Sequence, residues 1–299
     1  MLDKEKYLTL YYEKLLKSHL QEATITTKMK HVRLLIDYLN NHENLNDLQS
    51  IEKNMIYNYI NSADFSESYS SAIKFGLRDF FNFMFNIGES KFDGRSLFPI
   101  IKTNKRRNLI SFYSPEEISD MLDTFETSDK FGNRDKCMTL IAAKTGLRAS
   151  DVVWLRFDEI NWDGQIINKT QRKTKLPVSV SFDDDIKFSL IDYLKNYRPH
   201  IKSEYVFINA ETNEPFEKAT CLTNAVHHHF KKSNVNVGKR KSGAHALRFS
   251  LSASLLSDNT PLPVITGILG HDNLETTKRY LSIDIENLRH VGLEVPSYE

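Results

Sequence analysis

The chain has 299 residues, of which 40% are hydrophobic and 26% are charged, and this balance excludes a disordered or fibrous protein. Its length exceeds what one typical core holds, so two domains are expected. The formal net charge of +1 argues mildly against a general nucleic-acid binder, although local basic patches are compatible with it.

The amino-terminal stretch MLDKEKYLTLYYEKLL mixes charged with apolar residues and holds no continuous apolar run. The sequence therefore predicts neither a signal peptide nor a membrane span. Cys137 and Cys221 lie far apart in helix-like contexts, which argues against a disulfide framework. A reducing compartment is compatible with this usage, so a cytoplasmic protein is expected.

Apolar residues recur at three- and four-residue spacing in the first third of the chain, which predicts four amphipathic helices. They include Tyr7 to Leu16, Val32 to Leu39, Met55 to Ile60 and Tyr69 to Met84. Such helices can bury one small core, so the stripes are interpreted as packing faces and not as a cofactor site. The basic residues predicted to point outward are Lys28, Lys30, Arg33, Lys74 and Arg78.

A polar segment without apolar periodicity follows, and its basic cluster consists of Lys102, Lys105, Arg106 and Arg107. Ser114 is then a fitting N-cap, with Pro115 at the first helical position and Glu117 completing a capping box. We therefore expect the first domain to end at residue 103 and a basic linker to span residues 104–109.

The second part of the chain combines helices with short strands. Cys137 to Ala143 predict an apolar helix that ends at Gly146, and another helix is expected to begin at Asp151 to Leu155. A turn signal at residues 161–164 precedes strand-like runs at Gln165 to Asn168 and Leu176 to Phe182. The segment between them, QRKTKLP, contains Lys173 and is predicted to be a mobile hairpin turn. The predicted fold class is therefore mainly α with a small β-hairpin sheet.

Three consecutive histidines at positions 227–229 are predicted to lie at a polar helix end. Neighbouring residues on a helix diverge by about 100°, so they cannot all face one metal ion. No metal site is expected from them.

Several short motifs combine residues that suit a phosphodiester. Thr145-Gly146-Leu147-Arg148 is followed by Asp151, and His245-Ala246-Leu247-Arg248 places a histidine and an arginine on one helical face. Leu269-Gly270-His271 closes an apolar helix, and Tyr280 follows nine positions after that histidine. Guanidinium groups fork onto phosphate oxygens, imidazoles move protons, and a phenol can attack phosphorus. The candidate metal-free site therefore comprises Arg148, Lys173, His245, Arg248, His271 and Tyr280.

This ordered set resembles the tyrosine recombinase family, also called the phage integrase family, over residues 108–285. The resemblance implies a helical core-binding domain at residues 1–103 that clamps double-stranded DNA. It implies a catalytic domain at residues 110–285 and a tail at residues 286–299. This tail either docks on a neighbouring protomer or packs as a helix on its own domain.

The resemblance also implies a role for each residue of the site. Tyr280 is the nucleophile that forms a 3′-phosphotyrosine, and the two arginines stabilise the charge on phosphorus. His245 and His271 are the candidates to accept or relay the tyrosine proton. The family's lysine is expected to protonate the departing 5′ oxygen. Lys173 is assigned to this role because Lys173-Thr174 matches the family's lysine-threonine pair better than its basic neighbours do. Asp151 is expected to support the site, and no metal or cofactor is implied.

The implied partner is DNA at specific recombination sites, joined by four protomers in a synaptic complex and, in some relatives, by accessory proteins. Strands are exchanged through a four-way junction, giving integration, excision or resolution. A bacterial or mobile-element host is expected. The candidates for contact with the DNA backbone are Lys102, Lys105, Arg106, Arg107, Lys239, Arg240 and Lys241.

Three alternatives stay open at this point. An integrase or transposon-borne recombinase and a resolvase of DNA multimers fit the motifs equally well. A type IB topoisomerase-like relaxing enzyme uses a similar arginine, lysine, histidine and tyrosine site. A catalytically silent DNA-binding accessory factor is the third, but the complete set of six residues argues against it.

Overall fold

The computed structural model describes residues 1–62, 65–99 and 112–270. The chain divides into two compact units, Met1–Arg106 and Arg107–Glu299. The roles and limits given above for the core-binding domain, the linker and the catalytic domain stay predictions. Within the described residues, no helix is long and apolar enough to cross a membrane.

The described part of the first unit is helical. Its apolar spacing is confirmed, because the predicted stripes converge on one core that includes Tyr11, Leu35 and Phe80. A short helix at residues 94–97 was not predicted. The α-helices are α1 Lys4–Leu16, α2 Glu22–His42, α3 Lys53–Ser62, α4 Glu67–Asn86 and α5 Gly94–Leu97.

A charged cluster joins α1, α2 and α4. The Asp79 carboxylate accepts hydrogen bonds from Lys14 Nζ at 2.7 and 2.8 Å, from Lys28 Nζ at 2.7 Å and from the Tyr11 hydroxyl at 2.7 Å. The prediction that Lys28 points into solvent is therefore wrong, since this residue is only 8% exposed. Its aliphatic stem can be buried because a carboxylate meets the ammonium group.

The other basic residues of the first unit divide into two groups. Lys30, Arg33 and Lys74 are exposed, as predicted. Arg78 is half-buried, and its Nε donates to the Phe98 carbonyl oxygen at 2.7 Å, so its outward orientation is only partly confirmed.

The second unit is also mainly helical and contains a three-stranded sheet. The capping box at Ser114 is present, with the Ser114 hydroxyl accepting from Glu117 N and the Glu117 carboxylate accepting from Ser114 N. The helices are α6 Pro115–Leu122, α7 Lys130–Thr145, α8 Ala149–Val153, α9 Asp184–Asp192, α10 Thr220–Lys232, α11 Ala244–Ser257 and α12 Leu262–Leu269. A π-helical turn, Tyr193–Tyr197, continues α9.

The sheet has the order β1-β2-β3 and is antiparallel throughout. Its strands are β1 Ile160–Asn161, β2 Ile166–Thr170 and β3 Pro177–Ser181. Ile167 pairs with Val180, and both side chains are buried, which fixes the register because a slip by one residue would expose them. The hairpin is confirmed, with strand limits shifted by one or two residues from those predicted.

Helix α7 is the centre of the second core. Cys137, Met138, Ile141 and Ala142 on its buried face are at most 1% exposed. The helix packs against α9, α10 and α11, so it positions the elements that follow its carboxyl end. The predicted fold class, mainly α with a small sheet, is confirmed.

Candidate active site

Arg148 follows α7 after a sharp turn. Gly146 ends the helix with φ +68°, as predicted, and a Cβ at this position would come within 2.9 Å of Leu251 Cδ2 and Leu269 Cδ2. Two residues later, Arg148 is the N-cap residue of α8. Its half-buried guanidinium donates from Nη1 to Gln171 Oε1. Helix α8 begins at Ala149, two residues earlier than predicted.

Arg248 lies on α11 and is buried, with 2% of its surface exposed. Its Nη1 donates to the Gly146 carbonyl oxygen at 2.7 Å, and its Nη2 donates to the Leu269 carbonyl oxygen at 2.5 Å. Carbonyls at helix carboxyl ends lack helical partners and carry partial negative charge. The guanidinium therefore joins the ends of α7 and α12 and is stabilised by both.

His245 precedes Arg248 by one helical turn. Part of its surface is exposed to solvent, and its ring stands edge-on to the Phe249 ring with centroids 4.5 Å apart. Its pKa is lowered to about 4. The largest cause is desolvation of the ring nitrogens by the surrounding protein, and four positive charges act in the same direction, those of Arg248, Arg148, Lys173 and Lys241. The imidazole is therefore neutral at pH 7 and can accept a proton.

Lys173 lies in the turn between β2 and β3, as predicted, and its side chain is exposed. The backbone N of Gln171 donates to Leu176 O, and Lys175 N donates to Gln171 O, both at 2.9 Å. Arg172 stacks on the Trp154 ring, with 4.3 Å between its Cζ and the ring centroid. These contacts anchor the backbone on both sides of Lys173, and the mobility of the turn stays a prediction.

Asp151 is fully buried beside this turn. Its Oδ1 accepts a hydrogen bond from the backbone N of Arg172 at 2.9 Å. Burial raises the pKa of its carboxyl, while the Arg172 hydrogen bond and the charges of Arg148, Lys169 and Arg248 act against that rise. Asp151 therefore holds the turn against the start of α8, an arrangement that agrees with the supporting role expected of it.

Gly270 ends α12 with φ +57° and is the last described residue. A Cβ here would lie 2.4 Å from Val178 Cγ1 and 2.6 Å from Gln171 Nε2, so the close approach of α12 to the sheet requires glycine. His271, Tyr280 and the tail at residues 286–299 lie outside the described residues, and their predicted roles stay predictions.

The second basic cluster, Lys239, Arg240 and Lys241, precedes α11. Lys239 and Lys241 are exposed. The guanidinium of Arg240 instead donates to both carboxylate oxygens of Glu117, at 2.7 and 2.9 Å, and lies 4.1 Å from the centroid of the Tyr113 ring. Arg240 thus joins α6 to this loop, and contact of the cluster with DNA stays a prediction. The first cluster, Lys102 to Arg107, lies outside the described residues.

The three histidines lie in the last turns of α10, as predicted, and each has its own surroundings. His227 Nδ1 lies 2.6 Å from Ser242 Oγ, and His229 stacks on Phe125 with centroids 3.5 Å apart. Among the residues that the structure describes, no group of three His, Cys, Asp or Glu side chains could hold a metal ion.

Sequence reasoning did not single out Gln171. This residue is fully buried and contacts Arg148, Thr174 and the end of α12. A glutamine in a polar turn has no periodic or charge signal, so only its place two residues before Lys173 could have marked it.

A model of the phage integrase family matches residues 111–286, which include every predicted catalytic position. The chain belongs to the phage integrase family. The resemblance inferred from the motifs is confirmed.

Individual members of the phage integrase family share about a quarter of their aligned residues with this chain. The chain is 27% identical over 223 residues to the putative integrase/recombinase y4rA of Sinorhizobium fredii (strain NBRC 101917 / NGR234), covering 74% of this chain and 53% of that protein. It therefore spans about half the length of that relative. It is 24% identical over 262 residues to the tyrosine recombinase XerC of Staphylococcus saprophyticus subsp. saprophyticus (strain ATCC 15305 / DSM 20229 / NCIMB 8711 / NCTC 7292 / S-41), covering 84% and 83% of the two chains.

A solved structure shares the fold of this family member. It is the XerH site-specific recombinase bound to palindromic difH substrate in a post-cleavage complex, with a TM-score of 0.71 and 20% identity. The match covers 89% of this chain and 78% of that one.

Proposed function

We propose that the chain is a site-specific DNA recombinase that breaks and rejoins DNA through a covalent bond between Tyr280 and a 3′ phosphate. The single observation that carries this proposal is the convergence of Arg148, His245 and Arg248 with the Lys173 turn at the carboxyl end of α12. His271, the next residue after that end, begins the segment that contains Tyr280.

The two guanidinium groups bind the non-bridging oxygens of the scissile phosphate. Negative charge increases on these oxygens as phosphorus becomes pentacoordinate, so the arginines stabilise the transition state more than the ground state. Hydrogen bonds to neutral oxygen acceptors fix the position of each guanidinium. Removing one such donor typically costs on the order of 100- to 1000-fold in rate.

Cleavage then forms one bond and breaks another. The Tyr280 hydroxyl oxygen attacks phosphorus, and the bond from phosphorus to the 5′ oxygen breaks. A tyrosine has an ordinary pKa of about 10, so its proton must leave during attack. The neutral imidazole of His245 is one acceptor, and His271 is the other candidate. Lys173 gives a proton to the departing 5′ oxygen, which leaves as a hydroxyl group.

Rejoining reverses these steps with a different strand. The 5′ hydroxyl of the partner duplex attacks the phosphotyrosine, and the phenol leaves with its proton restored. The covalent bond conserves the energy of the phosphodiester, so religation needs no cofactor. Four protomers on two duplexes exchange one pair of strands at a time, and residues 286–299 dock each protomer on its neighbour.

The first unit and the loop before α11 supply binding energy. We assign residues 1–103 as the clamp on the duplex and residues 110–285 as the catalytic domain. Lys30, Arg33 and Lys74 on the clamp, together with Lys239 and Lys241, neutralise backbone phosphates, which makes the affinity fall as salt rises.

The test is covalent trapping on a nicked suicide duplex that contains the recombination site, or on a library of DNA flanking the gene. Wild type, Tyr280→Phe and the matched control Tyr205→Phe are incubated with metal chelator and resolved on denaturing gels. We expect a protein–DNA band with wild type and Tyr205→Phe that is absent with Tyr280→Phe.

A band that persists in Tyr280→Phe rejects the nucleophile. If the protein binds the DNA but forms no covalent band, the result favours the silent accessory factor. A wild type that relaxes a supercoiled plasmid carrying one site, but never exchanges strands between two sites, favours the topoisomerase-like alternative.

A further inference from the structure

Gln171 lies at a joint between three parts of the site. Its side chain is fully buried. Oε1 accepts from Arg148 Nη1 and from Thr174 Oγ1, the latter at 2.8 Å, while Nε2 donates to the Leu269 carbonyl oxygen at 3.0 Å. One amide group therefore contacts an arginine, the Lys173 turn and the end of α12.

The surroundings of the Gln171 amide are tightly packed, and Gln171 shares its Leu269 acceptor with Arg248. The Leu269 oxygen also accepts from Arg248 Nη2 at 2.5 Å, so both lone-pair directions of this carbonyl are engaged. A Cβ on Gly270 would lie 2.6 Å from Gln171 Nε2, which shows how closely the amide fits beneath the end of α12. Rotation of the Gln171 side chain would break several of these contacts together.

The chemistry of an amide suits this position. An uncharged oxygen accepts a hydrogen bond from a guanidinium and fixes its direction, whereas a carboxylate would also cancel its charge. The same amide supplies the donor that a backbone carbonyl needs, which a carboxylate lacks. Glutamine therefore meets both requirements at once.

We propose that Gln171 is a positioning residue for DNA cleavage, which aims Arg148 at the phosphate and ties the Lys173 turn to the end of α12 while preserving the charge of the site. The proposal rests on the proposed recombinase function. Gln171 touches no reacting atom and acts through Arg148 and the turn.

The first test compares Gln171→Met with Gln165→Met. Methionine has a similar length but neither donates nor accepts these bonds, and Gln165 lies just before the other end of β2, where its Nε2 donates to Asp184 Oδ1 at 2.9 Å. On the suicide duplex at saturating DNA, we expect Gln171→Met to cleave about 100-fold more slowly, since misplacing a catalytic group by about 1 Å costs this much. DNA affinity, measured by titration, and Gln165→Met should both stay within about threefold of wild type.

A double-mutant cycle separates positioning from stability. In an Arg148→Lys background, the contact with Gln171 is already altered, so we expect Gln171→Met to slow single-turnover cleavage by less than about tenfold further. A purely structural effect would multiply the rate loss by the same factor in both backgrounds, and that result rejects action through Arg148.

Gln171→Glu keeps the shape of the side chain and tests the argument from charge, including the case in which Gln171→Met fails to fold. We expect cleavage slower than wild type at pH 8, because the carboxylate offsets the Arg148 charge and cannot donate to the Leu269 carbonyl oxygen. If Gln171→Glu cleaves at the wild-type rate at pH 8, the proposal is rejected. Absence of a covalent product from wild type itself rejects the recombinase function instead.

Discussion

Two clusters of cations, one in each unit of this chain, are held in different ways. In the first unit, Lys14 and Lys28 donate to the carboxylate of Asp79 at 2.7 Å. The carboxylate balances part of their charge, and the result is an internal contact between helices. A cation bound in this way serves the fold.

In the second unit, Arg148 donates to the amide oxygen of Gln171, and Arg248 donates to the carbonyl oxygens of Gly146 and Leu269. These acceptors are uncharged groups, so these hydrogen bonds orient the guanidiniums, and the buried Asp151 carboxyl interacts with both charges. The pKa of His245, lowered to about 4, responds to both arginines. In these two clusters, the lysines meet a carboxylate and stabilise the fold, whereas the arginines donate to neutral oxygens that orient them for the proposed anionic ligand.

The largest effect is expected at Arg248. Arg248→Ala should reduce single-turnover cleavage on the order of 1000-fold, because a transition-state donor is lost. It should also lower the melting temperature, because the carbonyls of Gly146 and Leu269 lose a buried donor. Arg156→Ala is the control, since its ion pairs are exposed and such pairs contribute only about 0–1 kcal/mol. Cleavage by Arg248→Ala within about tenfold of wild type contradicts the comparison.

A smaller effect is expected at the β2–β3 turn. Lys173→Ala should slow cleavage about 100-fold, because general acid catalysis contributes this much. Lys175→Ala is the matched control, being exposed on the same turn, and should stay within about threefold. If the ranking of the two variants is reversed in single-turnover assays, the lysine has been assigned to the wrong position.

The effect at Asp79 should appear in stability and not in chemistry. Asp79→Asn leaves two partly buried ammonium groups without their carboxylate and should lower the free energy of unfolding by about 1–2 kcal/mol, a figure discounted for solvent exposure. Chemical denaturation measures this loss. The cleavage rate at saturating DNA should stay within about twofold, and a tenfold loss would show that the cluster takes part in function.

The last effect is a difference in acid sensitivity. The pKa of His245 is about 4 when folded and about 6.5 when unfolded, so its contribution to stability is complete above pH 6.5 and is lost as pH falls toward 4. Denaturation at pH 7.5 and pH 5 should therefore show a smaller loss in His245→Gln than in wild type. Equal losses of stability in the two proteins would mean that the pKa of His245 is not lowered by folding.

The contribution of Asp79 to stability changes in a lower pH range than that of His245. Burial opposes ionisation of its carboxyl, but the hydrogen bonds from Lys14, Lys28 and Tyr11 outweigh burial, so its pKa is lowered. Its stabilising contribution is therefore present above the unfolded value of about 3.9 and is lost only as pH falls below it. Asp79→Asn should leave the difference between pH 7.5 and pH 5 unchanged.

Local signals made much of the fold predictable. The left-handed helix ends at Gly146 and Gly270 follow from glycine after an apolar helix, and the capping box at Ser114 follows from its spacing. The spacing of His245 and Arg248, three residues apart, likewise predicts that they share one helical face. The family followed from the order of these motifs.

Long-range pairing was not predictable. Helical spacing assigned Lys28 to solvent because the sequence does not show that Asp79 faces it. Arg240 belongs to a basic run, yet its partner Glu117 lies 123 positions earlier. Gln171 is buried because α12 closes over it, which no local pattern indicates. Each case depends on a tertiary contact between distant segments.

The gathering of cations around His245 has a consequence for the response to ionic strength. Dissolved ions screen attraction and repulsion alike. Added salt should therefore weaken the Asp79 cluster while relieving the mutual repulsion of Arg148, Arg248, Lys173 and Lys241, whose charges together lower the pKa of His245. Sulfate should act more strongly than chloride, because a tetrahedral dianion resembles the phosphate group that these cations are arranged to meet. In buffer without DNA, the Asp79 cluster and the cations around His245 should thus respond to added salt with opposite signs.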